Sequence, residues 1–88
     1  MCNKKNYRVV VDGDAADKER LVGSLVSNAA NLVTGLHNDN GKVVFYFAFK
    51  GDAKLVLKRV FKALTGKQMR GTSFQYMNAC ATIVKTVS

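Results

Sequence analysis

Residues 32–49, LVTGLHNDNGKVVFYFAF, decide between two folds for this chain of 88 residues. The segment 43–49 is apolar on both faces of an extended strand, which is typical of a strand in the centre of a sheet. The preceding residues 38–41 (NDNG) have the composition of a tight hairpin turn. If residues 32–37 form the strand that enters this turn, alternate apolar residues of the two strands lie on one face of the sheet. These residues are Leu32, Thr34, Leu36, Val43, Phe45 and Phe47.

The helix that precedes this stretch is the source of the second fold. If it continues to Thr34, Gly35 takes the left-handed position that follows a helix, and Leu36 packs against the last turn. The chain then has only three strands. If the helix ends between residues 28 and 31, a fourth strand forms, and we prefer this version because the hairpin pairs apolar with apolar side chains. The helical stripe consists of Leu21, Val22, Leu25, Val26, Ala29, Leu32 and Val33.

Strands and caps on either side complete the prediction. Residues 7–11 (YRVVV) are β-branched and aromatic, which predicts the first strand. Asp14 occupies the N-cap position of the first helix and Asp52 that of the second. The last strand lies within residues 74–87, with the clearest alternation in residues 79–87. A short repeat, in which an apolar strand leads into DGDA or KGDA and then a helix with Thr-Gly near its end, supports two similar strand-helix units.

The predicted fold is α+β and ferredoxin-like. It is a split βαβ arrangement of order β-α-β-β-α-β, with two helices on one face of a four-stranded sheet. The alternative is a three-stranded β-α-β-α-β sheet. A chain this short, 48% hydrophobic and without proline, predicts a single domain over residues 6–88 after a flexible tail, residues 1–5. Its predicted core contains Leu21, Leu25, Phe45, Phe47, Val60, Phe61 and Leu64.

Localisation follows from the distribution of apolar residues. The longest apolar run, residues 43–49, is far shorter than the roughly 20 residues of a membrane span. The N-terminal segment MCNKKNY has no apolar stretch behind its lysines, as a secretory signal would have. We therefore expect a cytoplasmic protein with no membrane partner.

The net positive charge comes from the second half of the chain. Residues 1–40 carry five basic and five acidic residues, whereas residues 41–88 carry nine basic residues and one acid, Asp52, so the net charge of +8 belongs to the second half. Helical spacing places the basic residues of the second helix opposite its apolar face. Such one-sided charge indicates a polyanionic partner. The predicted contact residues are Lys54, Lys58, Arg59, Lys62, Lys67 and Arg70.

The chain offers few of the groups that metal binding or catalysis requires. A zinc site uses about four ligands, and here one histidine, His37, accompanies two distant cysteines, Cys2 and Cys80. Nothing in the sequence marks Cys80 as an activated thiol. Asp12 is explained as a turn residue and Asp14 as a helix cap. We therefore expect no enzymatic activity, no metal and no cofactor.

Residues 66–73, GKQMRGTS, come close to the spacing of a phosphate loop. Thr72 stands where that motif has lysine, and the segment follows a helix, whereas a phosphate loop follows a strand. Hydrolysis of a nucleoside triphosphate is not expected. The loop can still hold phosphate through Lys67, Arg70 and free backbone amides.

Residues 42–49, KVVFYFAF, are similar to the third strand of RNA-recognition motifs, because the segment is basic at its start and aromatic at alternate positions. That family also has the order β-α-β-β-α-β, so the resemblance implies RNA binding on the sheet. The chain departs from the family's pattern since no glycine follows the basic residue. All three phenylalanines fall on one face, which we interpret as core. The open face then shows Arg8, Val10, Val44 and Tyr46, with Thr82 and Thr86 nearby.

These features predict a small non-enzymatic protein that binds nucleic-acid phosphates, of DNA or RNA, with low sequence specificity, because lysine acts as a point charge. The alternative is a small regulatory or inhibitory module, such as an accessory factor of a virus or mobile element, that docks on a larger acidic protein. Leu55 favours this alternative, since a phosphate-binding surface has no need of an apolar side chain; Arg8 and Tyr46 are further predicted contacts on the sheet face. A homodimer or a protein partner would cover the apolar open face, which carries Val10, Val44, Tyr46 and Val84.

Overall fold

The computed structural model describes residues 5–29 and 31–86. Its elements, in order, are β1 (Tyr7–Gly13), α1 (Ala15–Ala29), β2 (Val33–Asp39), β3 (Lys42–Phe47), α2 (Lys50–Thr65), β4 (Ser73–Tyr76) and β5 (Ala79–Lys85). The strands form one antiparallel sheet in the order β2-β3-β1-β5-β4. The described part of the chain is therefore α+β, with two helices and a five-stranded sheet.

The hairpin between β2 and β3 forms where the sequence predicts it. Asn40 and Gly41 both have positive φ, 51° and 84°, as a two-residue type I′ turn requires. Because α1 ends at Ala29 and β2 begins at Val33, the prediction that the helix ends before residue 32 is confirmed, and the three-stranded alternative is wrong.

The register within this hairpin differs from the prediction in one detail. Leu36 lies opposite Phe45, on the predicted face. A register shift between Val33 and Gly35 then places Val33 opposite Phe47, where the simple alternation predicts Thr34. A bulge of this kind adds one residue to one strand and exchanges its two faces.

The four-stranded ferredoxin-like layout is wrong in its strand count. Ser73–Tyr76 forms a short edge strand that pairs with β5, with Phe74 opposite Ala81. Met77, in the turn that joins the two strands, has a φ of 55°. The predicted last strand of residues 79–87 corresponds to β5, which ends at Lys85, and residue 87 lies outside the described residues.

Both helices pack on one face of the sheet. Val9 of β1 lies opposite Phe45 and Ile83 in the neighbouring strands, and all three side chains are buried. The Phe61 and Phe74 rings, 4.8 Å apart, join α2 to β4. The predicted core is confirmed: Leu21, Leu25, Phe45, Phe47 and Val60 are buried, and Phe61 and Leu64 are partly buried against them.

Helix α2 begins earlier than predicted. It starts at Lys50, with Phe49 at the N-cap and no side-chain cap, so Asp52 lies inside the first turn and is not the cap. There its carboxylate faces the positive end of the helix dipole. Phe49 lies beyond the strand and is 61% exposed, so it does not join the core with the other two phenylalanines of the segment. Asp14 directly precedes α1, at the predicted cap position.

The ends of the chain are only partly described. Residues 1–4 of the predicted tail, which include Cys2, lie outside the described residues. Lys5 packs over the ring of Tyr46, with its Nζ 5.2 Å from the ring centroid. In the described part of the chain, neither α1 nor α2 is long and apolar enough to cross a membrane.

Candidate functional site

The basic residues of α2 lie on its outer face, because the inner face packs in the core. Ala53, Val56, Leu57 and Val60 are fully buried against the sheet. At 3.6 residues per turn the intervening positions must point outward. Three of these positions are exposed cations, Lys58, Arg59 and Lys62, whereas Lys54 is half-buried.

The loop after α2 is anchored to the helix and to the core. Gly66 adopts the left-handed conformation, with a φ of 74°, and its N–H donates to the Lys62 carbonyl at 2.8 Å. The Thr65 hydroxyl donates to the Phe61 carbonyl and accepts from the Lys67 N–H. Met69 is only 6% exposed and fastens the loop to the core. Lys67 and Arg70 remain exposed on either side of it.

Helix and loop together enclose a surface cavity of about 280 Å³. Of the six predicted contact residues, Lys58, Arg59 and Lys62 line this cavity, whereas Lys54, Lys67 and Arg70 do not. Leu55 also lines it and is 42% exposed. The loop contributes Gln68 and Met69, which sequence reasoning did not select. Their contribution depends on the path of the loop, which no local pattern in the sequence encodes. We call the six predicted residues the α2 surface.

Among the described residues, the cations of the α2 surface have no carboxylate partner. Within residues 5–29 and 31–86 the single ion pair joins Lys42 Nζ to Asp12 Oδ2, which are 3.9 Å apart. Neither residue belongs to the α2 surface. Asp52 is the one acidic side chain of residues 41–88, and it makes no ion pair with any described residue. Uncompensated charges of one sign create a potential that attracts polyanions over distances longer than a hydrogen bond.

The open face of the sheet carries the residues that the sequence predicts. Arg8 lies opposite both Tyr46 and Val84, and Val10 lies opposite Val44 and Thr82. Directly paired residues of antiparallel strands share a face. The open face is less apolar at its surface than predicted, since Val44 is only 6% exposed and Val10, Tyr46 and Val84 are half-buried.

Tyr46 is surrounded by basic or titratable side chains. The His37 ring lies edge-on to it, with the two centroids 6.3 Å apart, and Lys5 lies over it. Gly35, which pairs with Tyr46, leaves room for this packing. A Cβ at that position would come 3.2 Å from Lys5 Cε and 3.4 Å from Tyr46 Cδ2, so a larger residue would displace one of them.

Of the four described residues considered for catalysis or metal binding, Asp12, Asp14, His37 and Cys80, two lie side by side. Asp12 and Cys80 pair across β1 and β5 and line a cavity of about 360 Å³ together with Gly13, Gln75, Asn78 and Ala79. His37 and Asp14 are not among its lining residues. No group of three or more His, Cys, Asp or Glu residues suited to a metal occurs in the described part of the chain. The absence of enzymatic activity stays a prediction.

The described residues define an α+β protein with an uncompensated basic surface on one helix. No family model, curated protein or solved structure matches the chain.

Proposed function

We propose that the protein is a small, non-enzymatic, cytoplasmic module that binds nucleic-acid phosphates through the α2 surface. One observation supports this most: three exposed cations, Lys58, Arg59 and Lys62, line a single cavity and have no carboxylate partner in the part of the chain that the structure describes. Lys67 and Arg70 extend the charge along the adjoining loop. Phosphate contacts of this kind supply most of the affinity in non-specific binding to nucleic acids.

The proposed fold class is a split βαβ core with one added strand. Strands β2, β3, β1 and β5 are consecutive in the sheet, and each pair is antiparallel. With α1 and α2 these strands follow the predicted order β-α-β-β-α-β when β4 is left out. In this proposal β4 is an edge strand added to a ferredoxin-like core. The loop that connects α2 to the added strand carries Lys67 and Arg70, so it is part of the binding surface in this proposal.

Low sequence preference follows from the chemistry of the side chains. Lysine presents a compact point charge that suits phosphate, whereas direct reading of bases depends on bidentate arginine, asparagine or glutamine. Four of the six residues of the α2 surface are lysines. We therefore propose that DNA and RNA of differing sequence bind with similar affinity at a given salt concentration.

The test is fluorescence anisotropy with labelled single- and double-stranded DNA and RNA, titrated at several salt concentrations. The variant is Lys58→Glu. Its matched control is Arg20→Glu, which makes the same change of net charge at an exposed position of α1. If the α2 surface binds nucleic acid, Lys58→Glu loses binding at low salt and Arg20→Glu retains most of it.

Two other results would contradict the proposal. Equal losses in both variants would show that net charge, and not this surface, determines binding. No binding of the parent protein to any of the four nucleic acids at low salt would reject nucleic acid as the partner.

A protein partner is the second candidate, and Leu55 is the observation that favours it. Leu55 is 42% exposed and lines the same cavity as Met69. An acidic protein with an apolar side chain could place that side chain between the two and its carboxylates on the lysines. A module that binds such a protein would lose affinity in the Leu55→Ala variant, whereas binding to nucleic-acid phosphates would change little.

A further inference from the structure

Two buried polar side-chain atoms lack a hydrogen-bond partner within residues 5–29 and 31–86. They are Nε of Arg8 and Oγ1 of Thr86. Buried donors in folded proteins almost always have a partner, because an unpaired one loses its hydrogen bonds to water without replacement. Two such atoms therefore call for an acceptor that the described residues do not supply.

The two atoms belong to neighbouring residues on the open face of the sheet. Arg8 lies opposite Val84 in β5, and Thr86 follows two residues later, so it continues the same face. The Thr86 N–H donates to the Asn6 carbonyl at 2.9 Å, which keeps this segment paired beyond the end of β5. Thr86 is thus a diagonal neighbour of Arg8. The Cα atoms of diagonal neighbours are roughly 7–8 Å apart, a distance that a long side chain can bridge.

The described neighbours of Arg8 on this face add positive charge and no acid. Arg8 also lies opposite Tyr46, and Lys5 Nζ is 5.2 Å from the centroid of that ring. Neither Arg8 nor Lys5 takes part in the one ion pair found among the described residues. The nearest acid along β1 is Asp12, and Lys42 is its partner. Arg8 thus has Tyr46 and Lys5 on one side and Thr86 on the other, and Arg8, Lys5 and Thr86 all have hydrogen atoms to donate.

We propose that Arg8, Thr86 and Lys5 form a phosphate-binding site on the open face of the sheet. A guanidinium group donates two parallel hydrogen bonds to phosphate oxygens, and Nε of Arg8, which is closed to solvent in this conformation, would make one of them once the side chain turns outward. The Thr86 hydroxyl donates to a further oxygen, and Lys5 supplies a second charge. Phosphate suits this set better than a carboxylate, because it offers more acceptor oxygens than the two of a carboxylate. The site lies on the face of the sheet opposite the helices, so it does not depend on the function proposed for the α2 surface.

The experiment is an NMR titration of the full chain, labelled with ¹⁵N, with inorganic phosphate. Sodium chloride keeps the ionic strength constant. The signals to follow are the Arg8 Nε–H and the Thr86 backbone N–H. The expected result is a saturable shift of both signals, with the amides of α2 unchanged. A shift that rises linearly with phosphate, or one that chloride alone reproduces, would overturn the proposal.

Substitutions separate the hydrogen bonds from the charge. Thr86→Val keeps the shape of the side chain and removes the hydroxyl, and Arg8→Lys keeps the charge and removes Nε. Each is expected to weaken phosphate binding about tenfold or more, which corresponds to one hydrogen bond to a charged group. Thr82→Val is the matched control, because Thr82 lies on the same face of β5, opposite Val10, and is expected to leave binding unchanged. If Arg8→Lys does not fold, Thr86→Val carries the test, and equal affinity in Thr86→Val and the parent would overturn the site.

A second titration identifies the source of the phosphate. A nucleoside monophosphate and a short single-stranded oligonucleotide are compared in the Lys58→Glu background, where the α2 surface is weakened. Shifts of the Arg8 Nε–H with the oligonucleotide support a phosphodiester backbone as the ligand, and shifts with the monophosphate alone support a free phosphate ester. Failure of the parent to bind nucleic acid through α2 would not remove phosphate binding at Arg8, so the two proposals fail separately.

Discussion

The two faces of the molecule present positive charge in different ways. On α2, the cations Lys58, Arg59 and Lys62 are exposed. On the open face of the sheet, Arg8 is half-buried, and its Nε is buried with no hydrogen-bond partner among residues 5–29 and 31–86. Exposed charges attract any polyanion and are weakened by salt, whereas buried donors in a fixed strand register can select a ligand by hydrogen-bond geometry. The same residue types thus favour unselective attraction on one face and selective binding on the other.

Removal of a core side chain between the two faces should have the largest effect, and this effect is on stability. Phe47 is fully buried and lies opposite Tyr7 and Val33. Phe47→Ala is expected to lower the free energy of unfolding by about 3–5 kcal/mol, since it deletes a buried ring and leaves a cavity. Phe49→Ala is the matched control, because Phe49 is 61% exposed, and it should change stability by no more than about 0.5 kcal/mol. Urea unfolding measures both, and equal losses in the two variants would contradict the assignment of the core.

The second-largest effect is expected in the salt dependence of nucleic-acid binding, which should change when the α2 surface is altered. If the α2 surface neutralises about four to six phosphates, log affinity falls against log salt with a slope of roughly −3 to −5. Replacement of Lys58 and Lys62 by glutamine should lower the magnitude of that slope by about two or less, with sequence preference unchanged. Phosphate binding at Arg8 should stay as in the parent. Anisotropy at four or more salt concentrations gives the slope, with Arg20→Gln as control, and a slope equal to that of the parent would remove both lysines from the contact.

The fold was predictable where local signals were strong. The turn composition of residues 38–41, with the alternating apolar residues on either side, indicated both the end of α1 and the existence of β2. The positive φ angles of Asn40 and Gly41 in the structure agree with that turn. Strand β4 was missed because it has four residues and because the following turn places a methionine, Met77, at positive φ. The alternation of Phe74 and Tyr76 with Ser73 and Gln75 was the available signal. It is too short to distinguish a strand from a loop without knowledge of its partner, β5.

The candidate sites divide in the same way. Helical spacing was sufficient to place Lys58, Arg59 and Lys62 on one exposed face, because burial of the opposite face of α2 forces them outward. The burial of Arg8 Nε without a described partner could not be predicted, since the exposure of one atom depends on how the neighbouring strands and side chains pack around it. Gln68 was missed for a related reason, as its position depends on the burial of Met69.

Leu55→Ala should have a small effect if the α2 surface contacts only phosphates. Leu55 is 42% exposed and lies outside the buried core of the described residues. Both the free energy of unfolding and the free energy of nucleic-acid binding are expected to change by less than about 0.5 kcal/mol. Thermal unfolding and anisotropy measure the two quantities. A large loss of nucleic-acid affinity with unchanged stability would mean that the cavity receives part of the ligand, and the α2 surface would then be selective as well.

The smallest expected effect concerns Asp12, and it tests whether the sheet site depends on short-range hydrogen bonds. Asp12 lies on the same strand as Arg8, four residues away, which is roughly 13 Å along an extended chain. That distance exceeds the Debye length of about 8 Å at 0.15 M salt. Asp12→Asn removes the charge and keeps an oxygen where Oδ1 accepts from the Gly13 N–H at 2.8 Å. The exposed pair with Lys42, which is lost, contributes about 0–1 kcal/mol to stability.

Phosphate affinity in Asp12→Asn should therefore equal that of the parent at 0.15 M salt within about twofold, and it should rise slightly at 0.01 M salt, where the Debye length is about 30 Å. The increase at low salt follows from removal of a negative charge near an anion. The NMR titration of the Arg8 Nε–H at the two salt concentrations measures both values. A severalfold rise at 0.15 M salt would show that long-range charge controls this site, as it does on α2. The two faces would then differ in burial alone, since the hydrogen bonds of Arg8 and Thr86 would no longer be needed to explain binding.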